Sequence, residues 1–312
     1  VGVDSEPEVL ELDDEVADVA LLEAPAGSEL ASPMADLPTG AKFGSLVHAV
    51  LETADPQAVD LEGELREQID RHSLWWPVDV SPADLAAGLL PMHDTPLGPL
   101  ADGLTLRGIP LRDRLCELDF EFPLAGGDMR GTVPDVRLSD VGELLDRHLP
   151  AGDPLAPCID RLTDATLGRQ SLRGYLSGSL DAVLRIPGGF DDPGGRRYLV
   201  VDYKTNWLGE PDRPLTAGDY TAGRMAEAML HSDYPLQALL YSVVLHRFLR
   251  WRQPGYRPQR HLGGILYLFI RGMCGADTPV SGGHPAGVFG WRPPAALVEE
   301  LSDLLDGQEA VA

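Results

Sequence analysis

Asp181, Asp202 and Lys204 are of the types, and at the spacing, that could hold a divalent cation and manage a water molecule. Asp202 and Lys204 lie two residues apart in YLVVDYKTN, residues 198–206. Strand alternation sends Leu199, Val201 and Tyr203 to one face and Tyr198, Val200, Asp202 and Lys204 to the other. An acid and an amine then share one side of an apolar strand, which is costly unless each is paired, hydrogen-bonded or bound to a metal. Of the 25 basic residues only two are lysines, and one of them is Lys204. A salt bridge alone would be served at least as well by Arg, whereas a compact ammonium suits a water or a phosphate oxygen.

The third residue comes from a neighbouring element. GYLSGSLDAVLRI, residues 174–186, has Leu180, Ala182, Leu184 and Ile186 on one predicted face and Asp181 with Val183 on the other. PGGFDDPGGRR between the two runs is a dense turn signal, so the spacing predicts a hairpin that brings Asp181 and Asp202 together. An acid on one strand followed by Asp-X-Lys on the next is the constellation of metal-dependent nucleases. Its carboxylates bind hard divalent cations, and its lysine positions or deprotonates the attacking water. With other acids nearby, neutralising Asp202 is expected to leave stability unchanged or raise it.

The elements around this pair can be read in outline. Residues 1–37 are acidic and poor in aromatics, a linker or partly disordered arm in which an acidic amphipathic helix over 9–22 is possible. TGAKFGSLVHAVLE, residues 39–52, repeats Phe43, Leu46, Val47, Val50 and Leu51 at helical spacing, and Gly44, His48 and Glu52 stack along its edge. A lone helical histidine is commonly structural, but beside the two acids His48 becomes a candidate ligand. Residues 56–114 are predicted as a helical insertion, with helices over 61–72 and from Ser81-Pro82 to Leu90. Residues 115–124 alternate strictly, Cys116, Leu118, Phe120 and Phe122 inward and Glu117, Asp119 and Glu121 opposite. This is either a half-exposed strand or one whose acids, Glu117 first, face the metal. Further helices are predicted within 134–149, over 219–229, over 234–252 and over 293–305, with a buried strand at 264–270. Gln237 and Tyr241 lie one turn apart on the 234–252 helix, and both can donate hydrogen bonds without adding charge.

Composition sets the outer bounds. Length and 44% hydrophobic residues allow one large core in an α/β or α+β chain, here residues 38–312. No run approaches the roughly 20 apolar residues of a membrane span, and the start lacks the pattern of a signal peptide, so the chain is expected to be a cytoplasmic piece of a longer one. Cys116, Cys158 and Cys274 lie far apart and form no zinc or iron-sulfur pattern. No GxxxxGK[ST] loop occurs, so the piece is not a nucleotide-driven motor by itself. The net charge of -24 opposes a nucleic-acid partner, but ten of the acids crowd residues 1–35, where there is no base. From Tyr234 to Ala276 there are six arginines, among them Arg247, Arg250 and Arg252, and no acid. That run is either a solvated helix face or a surface that tracks phosphates.

Taken in order, FGSLVHAVLE, GSLDAVLRI, YLVVDYKTNWLGE, YPLQALLYSVVLHRFLRWR and HLGGILYLFIRG resemble the RecB-like nuclease domains, the C-terminal part of the helicase-nuclease subunit of RecBCD-type complexes. The likeness runs from about Gly40 to Trp291. It implies a restriction-endonuclease-like core, a central mixed β-sheet flanked by helices, and magnesium-dependent cleavage of DNA, with manganese as a substitute and calcium able to bind. Carried over by position, it makes His48, Asp181 and Asp202 the metal ligands, together with the Tyr203 carbonyl, and Lys204 the catalytic lysine. Gln237 and Tyr241 match the family's QxxxY element near the site and the DNA. Glu117 and Asp119 stand where the family also carries acids. The implied partners are DNA, a RecB helicase part of the same chain, and RecC- and RecD-like subunits, with no membrane. The implied reaction is hydrolysis of single strands during double-strand break processing. The competing readings are a catalytically silent DNA-guiding or subunit-docking module of the same fold, and a free-standing exonuclease.

Overall fold

The computed structural model of the chain describes residues 26–125, 136–189, 192 and 194–307; the acidic 9–22 segment lies outside them. A five-stranded sheet runs through the centre: β1 (Arg114–Leu124), β2 (Gly174–Pro187), β3 (Arg196–Lys204), β4 (Leu262–Phe269) and β5 (Val288–Trp291), in that spatial order. β3 and β4 are parallel and every other neighbouring pair is antiparallel. Helices cover both faces, so this is the mixed, restriction-endonuclease-like arrangement expected from the sequence.

The two faces are covered by different parts of the chain. α1 (Ala41–Thr53), α2 (Leu61–His72) and α3 (Pro82–Leu89) lie over one face, against Ala182, Leu184, Leu199, Val201, Tyr203, Leu266 and Leu268. The 56–114 segment is therefore part of a core layer, contributing Leu65, Ile69, Leu85, Leu89, Met92 and Leu106 to it. α4 (Leu138–His148), α5 (Cys158–Thr163), α6 (Ala222–Leu230), α7 (Tyr234–Arg252) and α9 (Ala295–Leu305) lie over the other face, against Val183, Val200, Ile265 and Tyr267. The short α8 (Pro258–His261) leads into β4.

Burial on both faces explains why β4 is apolar and buried along its whole length, as expected of a central parallel strand. β1, at the edge, alternates half-buried and exposed residues. The parallel pairing is irregular where Tyr198 and Leu199 meet Leu262 and Gly264. Gly264 takes φ 110 there, and a Cβ at that position would stand 2.6 Å from the Trp291 carbonyl oxygen.

α1 forms because Phe43, Leu46, Val47, Val50 and Leu51 recur on one stripe, and all five are buried. Each contributes about 1.5–3 kcal/mol of hydrophobic stabilisation, which presses the helix and its His48 onto the sheet. A charge at Val47 would undo that seat. The helix expected over 219–229 starts later, at Ala222, capped by Thr221 Oγ1 accepting from the Arg224 amide. Asp219 instead caps the preceding tight turn and is fully buried between Arg213 and Arg224. No helix among the described residues is long and apolar enough to cross a membrane.

Candidate active site

The site arises where two strands part. β2 and β3 pair from Pro187 and Arg196 up to Ala182 and Val201, and the pairing ends there. β3 continues beside β4 for three more residues, through Lys204 and Phe269. The Tyr203 amide, left without a β2 carbonyl, donates to Asp181 Oδ2 at 2.8 Å. The Asp181 side chain thus replaces a ladder partner, satisfying a backbone donor at the fork. His48 Nδ1 lies 3.3 Å from the same oxygen.

A second irregularity stands level with the fork. On β1, pairing with β2 is regular up to Cys116 and Ala182 and resumes at Leu118 and Leu180, skipping Glu117 and Asp181. Glu117 has φ 47, a left-handed backbone that costs an ordinary L-residue about 1–2 kcal/mol. The face alternation changes at this point. Leu180 packs with Val183 in one core while Ala182, Leu184 and Ile186 pack in the other, which corrects the expectation that all four leucine-side residues share a face. Asp181 is thereby turned into the fork instead of onto either core.

Asp202 and Lys204 are both buried, and their charged ends meet at 2.8 Å. Asp202 Oδ2 is the oxygen that meets that ammonium, deep in the protein. Burial raises the Asp202 pKa most, and Asp181 raises it further, against the pull of Lys204. Burial acts the same way on Asp181, but His48, the Tyr203 amide and Lys204 outweigh it and hold that carboxyl below its ordinary range. The neighbouring acids therefore sit in opposed environments. Behind Lys204, its Nζ lies 4.1 Å from the centre of the Tyr234 ring and 5.6 Å from that of Tyr267. The Tyr267 hydroxyl donates to Gln237 Oε1 at 3.0 Å, and Gln237 Nε2 donates to the Tyr241 hydroxyl at 3.0 Å. Burial, then Asp202 and Asp181, push the Tyr241 hydroxyl up and keep it neutral.

The fold gathers His48, Asp181, Asp202, Tyr203, Lys204, Gln237 and Tyr241 at one end of the sheet. Glu117 stands at the rim beside Glu52, which lies one turn along α1 from His48. Burial first, then Glu117, Asp119 and Asp181, raise Glu52 to about 7. Glu52 was legible only as a neighbour of His48 on the helix edge, and Tyr234 and Tyr267 gave no sequence signal.

The arginines of α7 are not brought to the acids. Arg247 hydrogen-bonds Ser302 and pairs with Asp306 at 2.7 Å, and its guanidinium lies 4.3 Å from the centre of the Phe122 ring. Arg250 and Arg252 are exposed near the far end of α7, and at 1.5 Å per residue Arg250 is about 20 Å along the helix from Gln237. Arg260 pairs with Asp192, and Arg271 is completely buried.

An imidazole and two carboxylates at the end of the same sheet form a donor set that fits a hard divalent cation. Among the described residues no three His, Cys, Asp or Glu side chains already surround one point as a metal cage. His48 Nδ1 rests on Asp181, and Asp202 Oδ2 on Lys204.

No family model matches the chain. It is 66% identical over 308 residues, 99% of its length, to the RecBCD enzyme subunit RecB of Mycolicibacterium smegmatis, and 65% identical over 311 residues to that of Mycobacterium tuberculosis strain H37Rv. The Escherichia coli subunit is 31% identical over 276 residues, 86% of the chain. The chain spans 28%, 27% and 19% of those three relatives. Over almost all of its own length, therefore, the chain belongs to the RecB family, of whose mycobacterial members it spans a little over a quarter.

Proposed function

We propose that the chain is the nuclease part of a RecB-type helicase-nuclease, hydrolysing phosphodiester bonds of single-stranded DNA with magnesium during double-strand break processing. The observation that carries this reading is the gathering of His48, Asp181, Asp202 and Lys204 at the fork between β2 and β3. His48, Asp181, Asp202 and the Tyr203 carbonyl are the groups that would hold the cation, with Glu117 as a further acid at the rim. When bound, it would supply positive charge for the scissile phosphate and lower the pKa of a water.

The remaining work falls to the chain itself. Lys204 is held at a defined depth by Asp202 on one side and the Tyr234 ring on the other. Its ammonium orients the attacking water and offsets negative charge developing on the phosphate. The Tyr267, Gln237 and Tyr241 relay is neutral, so it fixes α7 behind the lysine without repelling a phosphate. DNA reaches this acidic end by delivery from the helicase part of the subunit and by RecC- and RecD-like partners. The whole assembly works in the cytoplasm. Cleavage of a labelled single-stranded oligonucleotide by the purified chain, with magnesium and with EDTA, tests the reading. Parent protein is expected to cut only with magnesium, and Lys204→Met to be at least about 100-fold slower. Equal rates for parent and Lys204→Met would remove the lysine and the reading with it.

A further inference from the structure

Arg271 follows β4 and is completely buried, the largest side chain among the described residues to be so. All the hydrogen bonds of its guanidinium go to main-chain carbonyl oxygens. Nε donates to Thr205 at 2.8 Å, Nη1 donates to Met34 at 2.7 Å and to Leu37 at 3.4 Å, and Nη2 donates to Pro38. The guanidinium carbon lies 5.2 Å from the ring centre of Phe43 and 5.7 Å from that of Trp207. Its own carbonyl accepts from Ser32 Oγ at 2.6 Å, and the same hydroxyl accepts from the Met34 amide at 3.1 Å.

These acceptors belong to two segments far apart in sequence. Met34, Leu37 and Pro38 form the turn that feeds α1, which carries His48, while Thr205 directly follows Lys204. The apolar stripe of α1 presses the helix onto the sheet but leaves it free to slide, since hydrophobic contact is not directional. A planar fork of five donors fixes both segments at once. We infer that Arg271 is a positioning residue: it sets the register of the His48 helix against the end of the strand bearing Asp202 and Lys204.

This inference deepens the nuclease reading, on which its functional readouts rest, but its geometric readout stands alone. A buried cation bonded only to carbonyls is a costly way to close a turn. Simple packing of the turn would be met by an apolar residue, whereas fixing two segments to each other requires donors directed to both sides. Lys offers a single ammonium in place of the fork, and Met offers no donor.

The test uses Arg271→Met and Arg271→Lys of the full chain. Crystal structures read the His48 Nδ1 to Asp181 Oδ2 contact, calorimetry with manganese chloride reads cation affinity, and thermal unfolding reads stability. Arg271→Met is expected to lengthen that contact and to weaken manganese binding by about ten- to a hundredfold, the loss typical when groups orienting metal ligands are removed. Arg271→Lys should lose less. A folded Arg271→Met protein that keeps the 3.3 Å contact and the parental manganese affinity overturns the inference, whatever its melting temperature. Should Arg271→Met fail to fold, Ser32→Ala decides, because it loosens the same turn with the guanidinium intact. A smaller loss of manganese affinity at near-parental stability supports the role, and parental affinity refutes it. If the parent itself neither binds manganese nor cuts DNA, the nuclease reading fails while the crystallographic contact still judges Arg271.

Discussion

Asp202→Ala is expected to destabilise the metal-free protein, the opposite of what the sequence suggested. Counting neighbouring acids alone, removal of one carboxylate relieves repulsion. The structure adds Lys204 at 2.8 Å, with 4% of the lysine side chain and 3% of the Asp202 side chain exposed. Stripping one partner from a buried ion pair leaves the other uncompensated, at about 3–5 kcal/mol. Relief of the Asp181 repulsion and partial neutralisation of the lysine return some of this, so the net loss should be about 2–3 kcal/mol. For a chain of this size that lowers the melting temperature by about 3–5 °C. Adding Lys204→Met to Asp202→Ala removes both charges, and the double variant should recover to within about 1 kcal/mol of the parent. Urea unfolding in EDTA at pH 8, run as a double-mutant cycle, measures all three differences. An Asp202→Ala protein as stable as its parent, or more stable, would refute the argument that Asp202 and Lys204 compensate one another.

Three further outcomes are expected. His48→Ala should weaken cation affinity and leave cleavage recoverable at high magnesium or with manganese, whereas unchanged affinity by calorimetry would make His48 a packing residue. His93 and His246 are both lowered to about 4, chiefly by burial. Their contribution is complete above the unfolded pKa of about 6.5 and is lost as pH falls towards 4, by at most about 3 kcal/mol each, so His93→Gln should flatten the fall in urea midpoint between pH 7 and 4.5, and a parental slope would contradict this. Replacing Arg250 and Arg252 by Gln should reduce the salt dependence of single-strand binding, whereas Arg247→Gln should cost about 1–2 kcal/mol of stability through the lost α9 contacts; a parental salt slope in the double variant would confine those two arginines to a solvated face.

The parts of the site that could be read in the sequence are those set by local periodicity. Alternation placed Asp202 and Lys204 on one face, the Gly- and Pro-rich turn announced the β2 and β3 hairpin, and helical spacing set His48 on the edge of α1. What stayed hidden depends on long-range pairing. Tyr267 stands beside Asp202 only because β4 joins β3 in parallel after a crossover through α6 and α7. The break at Glu117 and Asp181 interrupts alternation on two strands at once, and no local pattern marks it. Arg271 and Arg247 looked alike within an acid-free run of arginines. One is a buried fastener of carbonyls and the other an anchor for α9, because a guanidinium can be satisfied by backbone as well as by phosphate.

The central claim is that the fork between β2 and β3 is a divalent-cation site, and an anomalous difference map from crystals soaked in manganese chloride tests it most directly. The expected result is a peak bounded by His48, Asp181, Asp202 and the Tyr203 carbonyl that disappears in Asp202→Ala. A fully soaked crystal with no peak there, or with its strongest peak elsewhere on the molecule, would contradict the account.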